Sequence, residues 1–278
     1  MAHRTTRQHC LPRRNPNELN SLIALAFLAC LVSARESGAA VRHFAYSYES
    51  GTLRADSLEF EPHSTVRIGR EEYYSRFDER LEFEIGLTDR LQTAIYLNMS
   101  AVAAGAPGAR ELSLKGLGLS SEWKYKLTDP VADVLGSALY LEIGGSPLEL
   151  ELEAKVILDK RLGSLLLSCN LIVEQEWEFE TNPAERETGL EVTLGLGYFV
   201  TPRLFLGLEA RSPSVIEGDE GVEHAALFAG PTLAYSSDSW WTVLSLMPQL
   251  TSLAANPGGL DLEDFERGEV RLIVGFHL

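Results

Sequence analysis

The sequence predicts an all-β fold, an antiparallel up-and-down transmembrane β-barrel of about twelve strands that follows a cleaved signal peptide. Three observations support this prediction. Apolar and polar residues alternate in one segment after another, and the links between these segments are alternately short and long. The apolar face of each segment is also long and rich in leucine, with aromatic residues near its ends. In a membrane barrel such a face meets lipid, while the opposite face meets the lumen.

Residues 1–40 are predicted to be a signal peptide. A basic leader with four arginines precedes the apolar run SLIALAFLACLVSA, and small residues follow it. This order is the secretory pattern, and the run is too short for a spanning helix. Cleavage is expected after Ala34 or after Ala40. Residues 41–278 then form one outer-membrane barrel domain.

The composition is acidic, with 24 Lys and Arg against 40 Asp and Glu and a formal net charge of −16. The predicted leader holds five of the arginines and two of the glutamates, so the exported chain is more negative still. Nucleic acid is not expected as a partner, because such a chain would repel phosphates. Of the three cysteines only Cys169 lies beyond residue 40, so no internal disulfide is expected.

The alternation recurs in segments close to the length that a tilted membrane strand needs, about nine to eleven residues. The clearest segment is LELELEAKVILDK, which begins at Leu148 and places Glu149, Glu151 and Glu153 on one face. The predicted strands cover residues 58–68, 77–87, 91–100, 116–127, 135–143, 148–159, 164–179, 190–200, 204–211, 222–236, 238–252 and 270–278.

The links between the predicted strands are of two kinds. Thr88–Arg90 and Thr201–Arg203 are tight turns, whereas residues 104–111 and 253–267 form longer links that are richer in Gly, Pro and charge. Up-and-down barrels have this pattern, because one rim carries short periplasmic turns and the other carries longer extracellular loops. An even number of strands also returns both ends of the barrel to the same rim.

Two segments resemble those of known outer-membrane proteins. The chain closes with VRLIVGFHL, in which Gly275, Phe276 and Leu278 resemble the amphipathic C-terminal strand of Gram-negative barrels. The segment Gly86–Arg90 is similar to the Gly-Leu-Thr-Asp-Arg turn of an uncharacterised, porin- or transporter-like group with about twelve strands. The resemblance implies location in the cell outer membrane. It also implies two partners, the lipid bilayer and, through the C-terminal strand, the barrel assembly machinery.

The predicted inward positions carry many carboxylates and fewer cations. An isolated ion cannot be buried dry, so the interior is expected to be water-filled, ion-paired across the barrel, or both. The candidate lumen-lining residues are Glu82, Glu84, Arg80, Glu122, Lys124, Glu149, Glu151, Glu153, Lys155, Glu174, Glu176, Arg211 and Arg271. A hydrated acidic lumen favours cations. The sequence therefore predicts a passive channel or porin-like transporter for small polar or cationic solutes.

Two other functions are compatible with the same pattern. One is a closed structural or binding barrel that uses its extracellular loops without transport or catalysis. The other is a soluble exported barrel with a water-facing outside and an apolar inside. A barrel fold alone does not decide among them.

Catalysis is not expected, because the histidines lack suitable partners in the sequence. His63 and Ser64 are adjacent, so they point to opposite faces of a strand and cannot form a hydrolytic dyad. The acidic pair Asp219-Glu220 near His224 is the nearest candidate for a protease site, but an acidic loop of this kind is more often simply solvated.

No catalytic residue, cofactor or metal site is predicted. The carboxylates of Glu217, Asp219 and Glu220, and those of the segment Asp261–Asp264, are ligands of the type that Ca²⁺ takes. Charged surface loops are the simpler interpretation of both segments.

Overall fold

The computed structural model describes residues 41–106, 110–179, 184–216, 221–254 and 258–278. Within them, antiparallel strands β1–β12 form one closed barrel in which each strand pairs with its neighbours in sequence and β1 closes on β12. The strands are β1 Leu58–Ile68, β2 Tyr73–Thr88, β3 Leu91–Gly105, β4 Glu111–Thr128, β5 Gly136–Ser146, β6 Glu149–Leu162, β7 Leu165–Glu178, β8 Glu185–Thr201, β9 Leu204–Ile216, β10 Val222–Ser236, β11 Trp240–Ser252 and β12 Gly268–His277. The predicted twelve-strand, up-and-down fold is confirmed.

Some predictions concern residues outside these ranges. The predicted signal peptide, residues 1–40, lies outside the described residues, and so do Glu217, Asp219 and Glu220. Among the residues that the structure describes, no helix is long and apolar enough to cross a membrane.

The two faces of each strand differ in polarity and in exposure. Outward side chains such as Leu139, Leu194 and Leu208 are about half exposed, whereas the inward side chains of Glu59 and Glu122 are buried. A contiguous apolar surface that encircles the molecule is far larger than water-soluble monomers expose. Lipid therefore surrounds the barrel, and the hypothesis of a soluble barrel with an apolar inside is wrong.

Aromatic side chains mark both edges of the apolar surface. Tyr125, Tyr198 and Trp240 point outward near the rim that carries the short turns. Trp177 lies at the end of β7 and Phe179 directly follows that strand, next to the opposite rim. This placement matches the aromatic girdles of membrane barrels, where a ring keeps its apolar body in lipid and its polar edge near the headgroups.

Several strands extend further toward the long-loop rim than the alternation predicts. β2 begins at Tyr73 rather than Phe77, β4 at Glu111 rather than Gly116, and β8 at Glu185 rather than Leu190. Beyond the lipid layer both faces of a strand meet water, so alternation is no longer required there. The hairpins continue past the membrane without a hydrophobic signal in the sequence.

A compact turn closes the short-turn rim between β4 and β5. Asp129 accepts a hydrogen bond from Lys126 Nζ at 2.7 Å, and its other carboxylate oxygen accepts from the backbone amides of Val131 and Ala132. The hydrogen bond from Lys126, together with these amides, lowers the pKa of Asp129 to about 2. The link is therefore an ordered turn.

The outward position of Leu194 in the middle of β8 gives a test of the membrane assignment. We expect Leu194→Arg to lower the free energy of unfolding by about 2–4 kcal/mol, because the charge enters the hydrocarbon layer. Val134→Arg is the control, since Val134 lies in the β4–β5 turn with 93% of its surface exposed; it should cost about 0–1 kcal/mol. Urea unfolding in lipid vesicles measures both, and equal losses would contradict the assignment.

Candidate functional site

Residues 41–57 precede β1, and we call them the N-terminal plug; residues 44–53 lie buried or half-buried inside the barrel, and residues 54–56 are exposed at its rim. His43 contacts the rings of Phe199 and Phe205 near the short-turn rim. Farther along, Ala55 N–H donates to Asp89 in the β2–β3 turn, which is on the same rim. The plug therefore enters and leaves through one end of the barrel, and it forms a loop within the lumen.

Glu209 of β9 fixes the first half of the plug through three backbone hydrogen bonds. One carboxylate oxygen accepts from Ala45 N–H at 3.0 Å, and the other accepts from Tyr46 and Ser47 N–H at 2.9 Å each. Hydrogen bonds to an ionised acceptor are stronger than neutral ones, and buried amides need such partners. A single inward carboxylate thus replaces a strand as the partner of three consecutive amides.

Neutral side chains hold the second half of the plug. Asn170 accepts from Tyr48 N–H at 2.6 Å and donates to Tyr48 C=O at 3.0 Å, and Ser168 donates to the same carbonyl. Gln92 accepts from Leu53 N–H at 2.9 Å. These contacts bond the backbone of Tyr48 and Leu53 to side chains of the wall, and only at the exit of the plug do Asp56 N–H and Ser57 C=O bond to the backbone of Gly86 in β2, among the described residues.

A network of charges surrounds Tyr46. Its hydroxyl donates to Glu269 at 2.8 Å, and the Arg211 guanidinium binds both Glu269 and Glu191. The Arg271 guanidinium lies 4.0 Å from the centre of the Tyr46 ring. Arg211 and Arg271, both predicted to line the lumen, face inward and contact the plug.

An apolar cluster also packs the plug against the inner wall. Phe44 is fully buried and meets Phe205 edge-on, with ring centres 5.2 Å apart. Gly195 is needed here, because a Cβ atom at that position would lie 2.8 Å from the Phe44 ring. The same cluster includes Phe228 and Trp241 on the inner wall.

Lys124 and Lys155 also point toward the plug. The Lys155 ammonium lies 4.1 Å from the centre of the Tyr48 ring and 2.8 Å from Glu153. The Lys124 ammonium lies 6.0 Å from the same ring. Both side chains are only 7% exposed, so the structure places them against the plug.

Several of the predicted acidic residues form a buried group between β1–β4 and the plug. Carboxylate oxygens of Glu82, Glu84 and Glu122 lie within 4.8 Å of one another. Gln92 donates to Glu84 at 3.1 Å and to Glu122 at 3.4 Å. These carboxylates face inward as expected, but they are covered rather than exposed to the lumen.

Arg80 also faces inward but belongs to a different contact. Its guanidinium binds Glu142 of β5 at 3.2 Å and lies 4.4 Å from the centre of the Tyr96 ring. This ion pair crosses the inner face of the wall over two strands, β3 and β4, so it occupies part of the interior.

The remaining predicted residues form a separate surface at the long-loop rim. Glu149, Glu151 and Glu153 of β6 lie directly opposite glutamates of β7, and the row continues onto β8. We call this surface the acidic vestibule; its members are Glu149, Glu151, Glu153, Glu174, Glu176, Glu178, Glu185 and Glu187. Like charges directly opposite each other are destabilising, so this surface depends on water or cations.

The sequence alone did not indicate the contacts of Glu209, Asn170 and Gln92, which are the residues that hold the plug. Each is an inward polar residue on a strand, and nothing in its local pattern distinguishes it from other inward residues. The inward glycine at Gly195 was a usable signal, because a missing side chain on an inner wall leaves room for another segment.

The family described as "Family of unknown function (DUF6662)" matches residues 37–278. The chain belongs to the DUF6662 family. No curated protein matches this DUF6662 member. Its fold is similar to that of the COG4313 outer membrane channel from Pseudomonas putida F1, with 13% identity, a TM-score of 0.60 and coverage of 84% of this chain and 100% of that one.

A second solved structure, the NanC porin, gives a TM-score of 0.51 at 10% identity and covers 79% of this chain and 100% of that one. At such identities the similarity establishes the fold. Together with the apolar outer surface, it confirms the predicted outer-membrane barrel and its location in the outer membrane.

The contacts of Glu209 predict how firmly the plug is held. Glu209→Ala removes the acceptor of three amides, and one hydrogen bond to a charged group contributes about 1.5–3 kcal/mol. We therefore expect amide exchange of residues 45–47 to become at least about tenfold faster. Hydrogen-exchange mass spectrometry in detergent measures this. Glu178→Ala, which does not contact the plug, should leave the exchange unchanged; equal protection in both variants would contradict the role of Glu209.

Proposed function

We propose that this DUF6662 member is an outer-membrane channel that the N-terminal plug closes at rest. The observation that carries the proposal is the way the plug is held. The backbone of residues 45–53 bonds to wall side chains, chiefly Glu209 and Asn170, and the plug bonds to the backbone of a strand at its exit, where Asp56 and Ser57 meet Gly86 of β2. Water can replace such bonds when the plug leaves, and the sheet of the barrel stays intact.

The path of the plug is consistent with reversible withdrawal. Its first and last residues both lie at the short-turn rim, so the segment leaves as a loop without threading through the lumen. The contacts that resist withdrawal are the buried ring of Phe44 and the polar bonds to the wall. Opening therefore requires the loss of local contacts only.

The acidic vestibule gives the channel its proposed preference for cations or for small polar solutes. Its carboxylates lie on one wall of the long-loop rim, and Glu149 and Glu151 are partly exposed there. A cleft lined by one sign of charge concentrates counter-ions by its summed field. Two solved barrels of the same fold are named a channel and a porin, which agrees with this function.

A closed structural or binding barrel is the second candidate, and one observation favours it. The interior combines an apolar cluster around Phe44, Phe205 and Phe228 with buried ion pairs such as Arg211–Glu269. A lumen that is packed in this way needs no opening to be stable. The two functions differ in whether the barrel ever conducts.

Single-channel recording in planar bilayers distinguishes these functions. We expect the wild-type protein to open rarely, and Glu209→Ala to raise the open probability at least about tenfold, because the loss of one charged hydrogen bond already exceeds 1.4 kcal/mol. Asn170→Ala should also raise the open probability, because it removes the side chain that bonds to Tyr48. Glu72→Ala, at an exposed position of the β1–β2 link, is the control, with wild-type open probability.

Heat-modifiable gel mobility establishes that each variant is folded before recording. If the wild-type protein and both plug variants are folded and none of them conducts, the channel proposal fails and the closed barrel is supported. Openings with equal probability in every variant would also contradict a role for the plug.

The vestibule is tested in the Glu209→Ala background, in which openings are frequent. Changing Glu149, Glu151 and Glu153 together to glutamine removes three charges with little change in shape, so we expect the cation-to-anion permeability ratio to fall toward one. Reversal potentials in a salt gradient measure this ratio, and the difference should shrink at high ionic strength. Glu71→Gln with Glu72→Gln, at exposed positions of the β1–β2 link, is the control. An unchanged ratio in the triple variant would exclude the vestibule as the selectivity element.

A further inference from the structure

The described part of the β11–β12 connection, residues 258–267, folds against the inner wall near the long-loop rim. Gln249 of β11 holds it there, because its side chain donates to Asp261 C=O at 2.8 Å and accepts from Asp261 N–H at 2.7 Å. The neighbouring Leu262 C=O accepts from Glu71 N–H at 2.9 Å. The backbone at Asp261 is thus fixed in position by two other elements.

Three side chains converge at this point. His224 of β10 places its Nδ1 atom 2.8 Å from Asp264 Oδ2 and 3.6 Å from Asp261 Oδ2. All three atoms lie within 4.8 Å of one another. Asp261 is buried, with 4% of its surface exposed.

The hydrogen-bonding state of these atoms is unusual for a buried group. His224 Nδ1, Asp261 Oδ2 and Asp264 Oδ2 are all shielded from solvent, and apart from the ion-pair contacts among themselves none of them has a hydrogen-bond partner among the described residues. Buried polar atoms are ordinarily hydrogen-bonded, and an exception calls for an explanation such as a bound ion. Here three such atoms, one each from His224, Asp261 and Asp264, surround the same position.

Nearby cations do not neutralise the two carboxylates. Arg70, on the adjacent β1–β2 link, binds Glu266 at 2.9 Å instead. Within the part of the chain that the structure describes, no Lys or Arg forms an ion pair with Asp261 or Asp264. Two buried or half-buried carboxylates against one imidazole leave the group with excess negative charge, which is costly without a further cation.

We propose that His224, Asp261 and Asp264 bind a divalent metal ion of the Zn²⁺ type. One imidazole nitrogen with two carboxylate oxygens is a donor set that Zn²⁺ accepts, whereas Ca²⁺ takes oxygen ligands. Bonds of about 2.0–2.1 Å in a tetrahedron place donor atoms about 3.3 Å apart. The observed separations of 2.8 and 3.6 Å lie on either side of that value.

The surroundings support the assignment. A histidine that binds metal through one nitrogen usually directs the other toward a carboxylate, and Glu223 Oε1 lies 3.7 Å from His224 Nε2. A metal ion at this position joins the first residues of β10 to the loop between β11 and β12. It would therefore clamp that loop against the inner wall at the long-loop rim.

Calorimetric titration of the untagged, full-length barrel in detergent with ZnCl₂ tests the site. We expect one Zn²⁺ per chain, and at least about tenfold weaker binding for both His224→Ala and Asp264→Asn, since loss of an outer partner alone costs about 10–100-fold. His43→Ala is the matched control, because His43 pairs with a single carboxylate, Glu49 at 3.0 Å; its affinity should equal that of the wild type. CaCl₂ in excess should not displace the bound Zn²⁺.

Cu²⁺ provides an independent readout. Its electron paramagnetic resonance spectrum should show hyperfine coupling to one imidazole nitrogen, and this coupling should disappear in His224→Ala. Gel mobility confirms that each variant is folded, and Asp264→Asn preserves the shape of the site. The proposal is overturned if the folded wild-type protein binds no Zn²⁺, or if His224→Ala and Asp264→Asn bind it as tightly as the wild type.

Discussion

Closure of the sheet between β1 and β12 is the constraint on which the rest of the structure depends. In a lipid layer every backbone amide and carbonyl of the wall needs a partner within the protein, and a closed sheet satisfies them all. A closed sheet also has no free edge, so the N-terminal plug cannot join it as another strand. The plug instead takes its partners from inward side chains, and Glu209, Asn170 and Gln92 supply them.

The interior of the closed barrel has two regions that differ in how charged side chains are stabilised. Around Tyr46 of the plug, charges are buried and paired, as in the Arg211–Glu191–Glu269 group. At the long-loop rim, the glutamates of β6 and β7 face one another across the strands and remain in contact with water. A buried ion is costly without a partner of opposite charge, whereas water at the rim lowers the repulsion between neighbouring glutamates.

The fold could be predicted because one periodic signal determines both the strands and their orientation. In LELELEAKVILDK the leucines face lipid and Glu149, Glu151 and Glu153 face inward, and the same reasoning placed the other strands. The plug could not be predicted in this way. Ser47 contacts Glu209, which is 162 residues away in the sequence, and the residues of the plug show no regular alternation of apolar and polar side chains. The convergence of His224 with Asp261 has the same cause. The sequence associated His224 with Asp219 and Glu220, whereas the β11–β12 connection brings Asp261 and Asp264 to it.

The continuity of the plug with β1 bears on how the molecule is assembled. β1 forms one side of the seam at which the sheet closes, and residue 57 joins the plug directly to that strand. β1, which closes the sheet, is therefore also covalently joined to the segment that fills the interior. Packing of the plug in the lumen and pairing of β1 with β12 are consequently linked through one short piece of backbone. Any movement of the plug out of the lumen would pivot at the start of β1, beside the strand pair that closes the barrel.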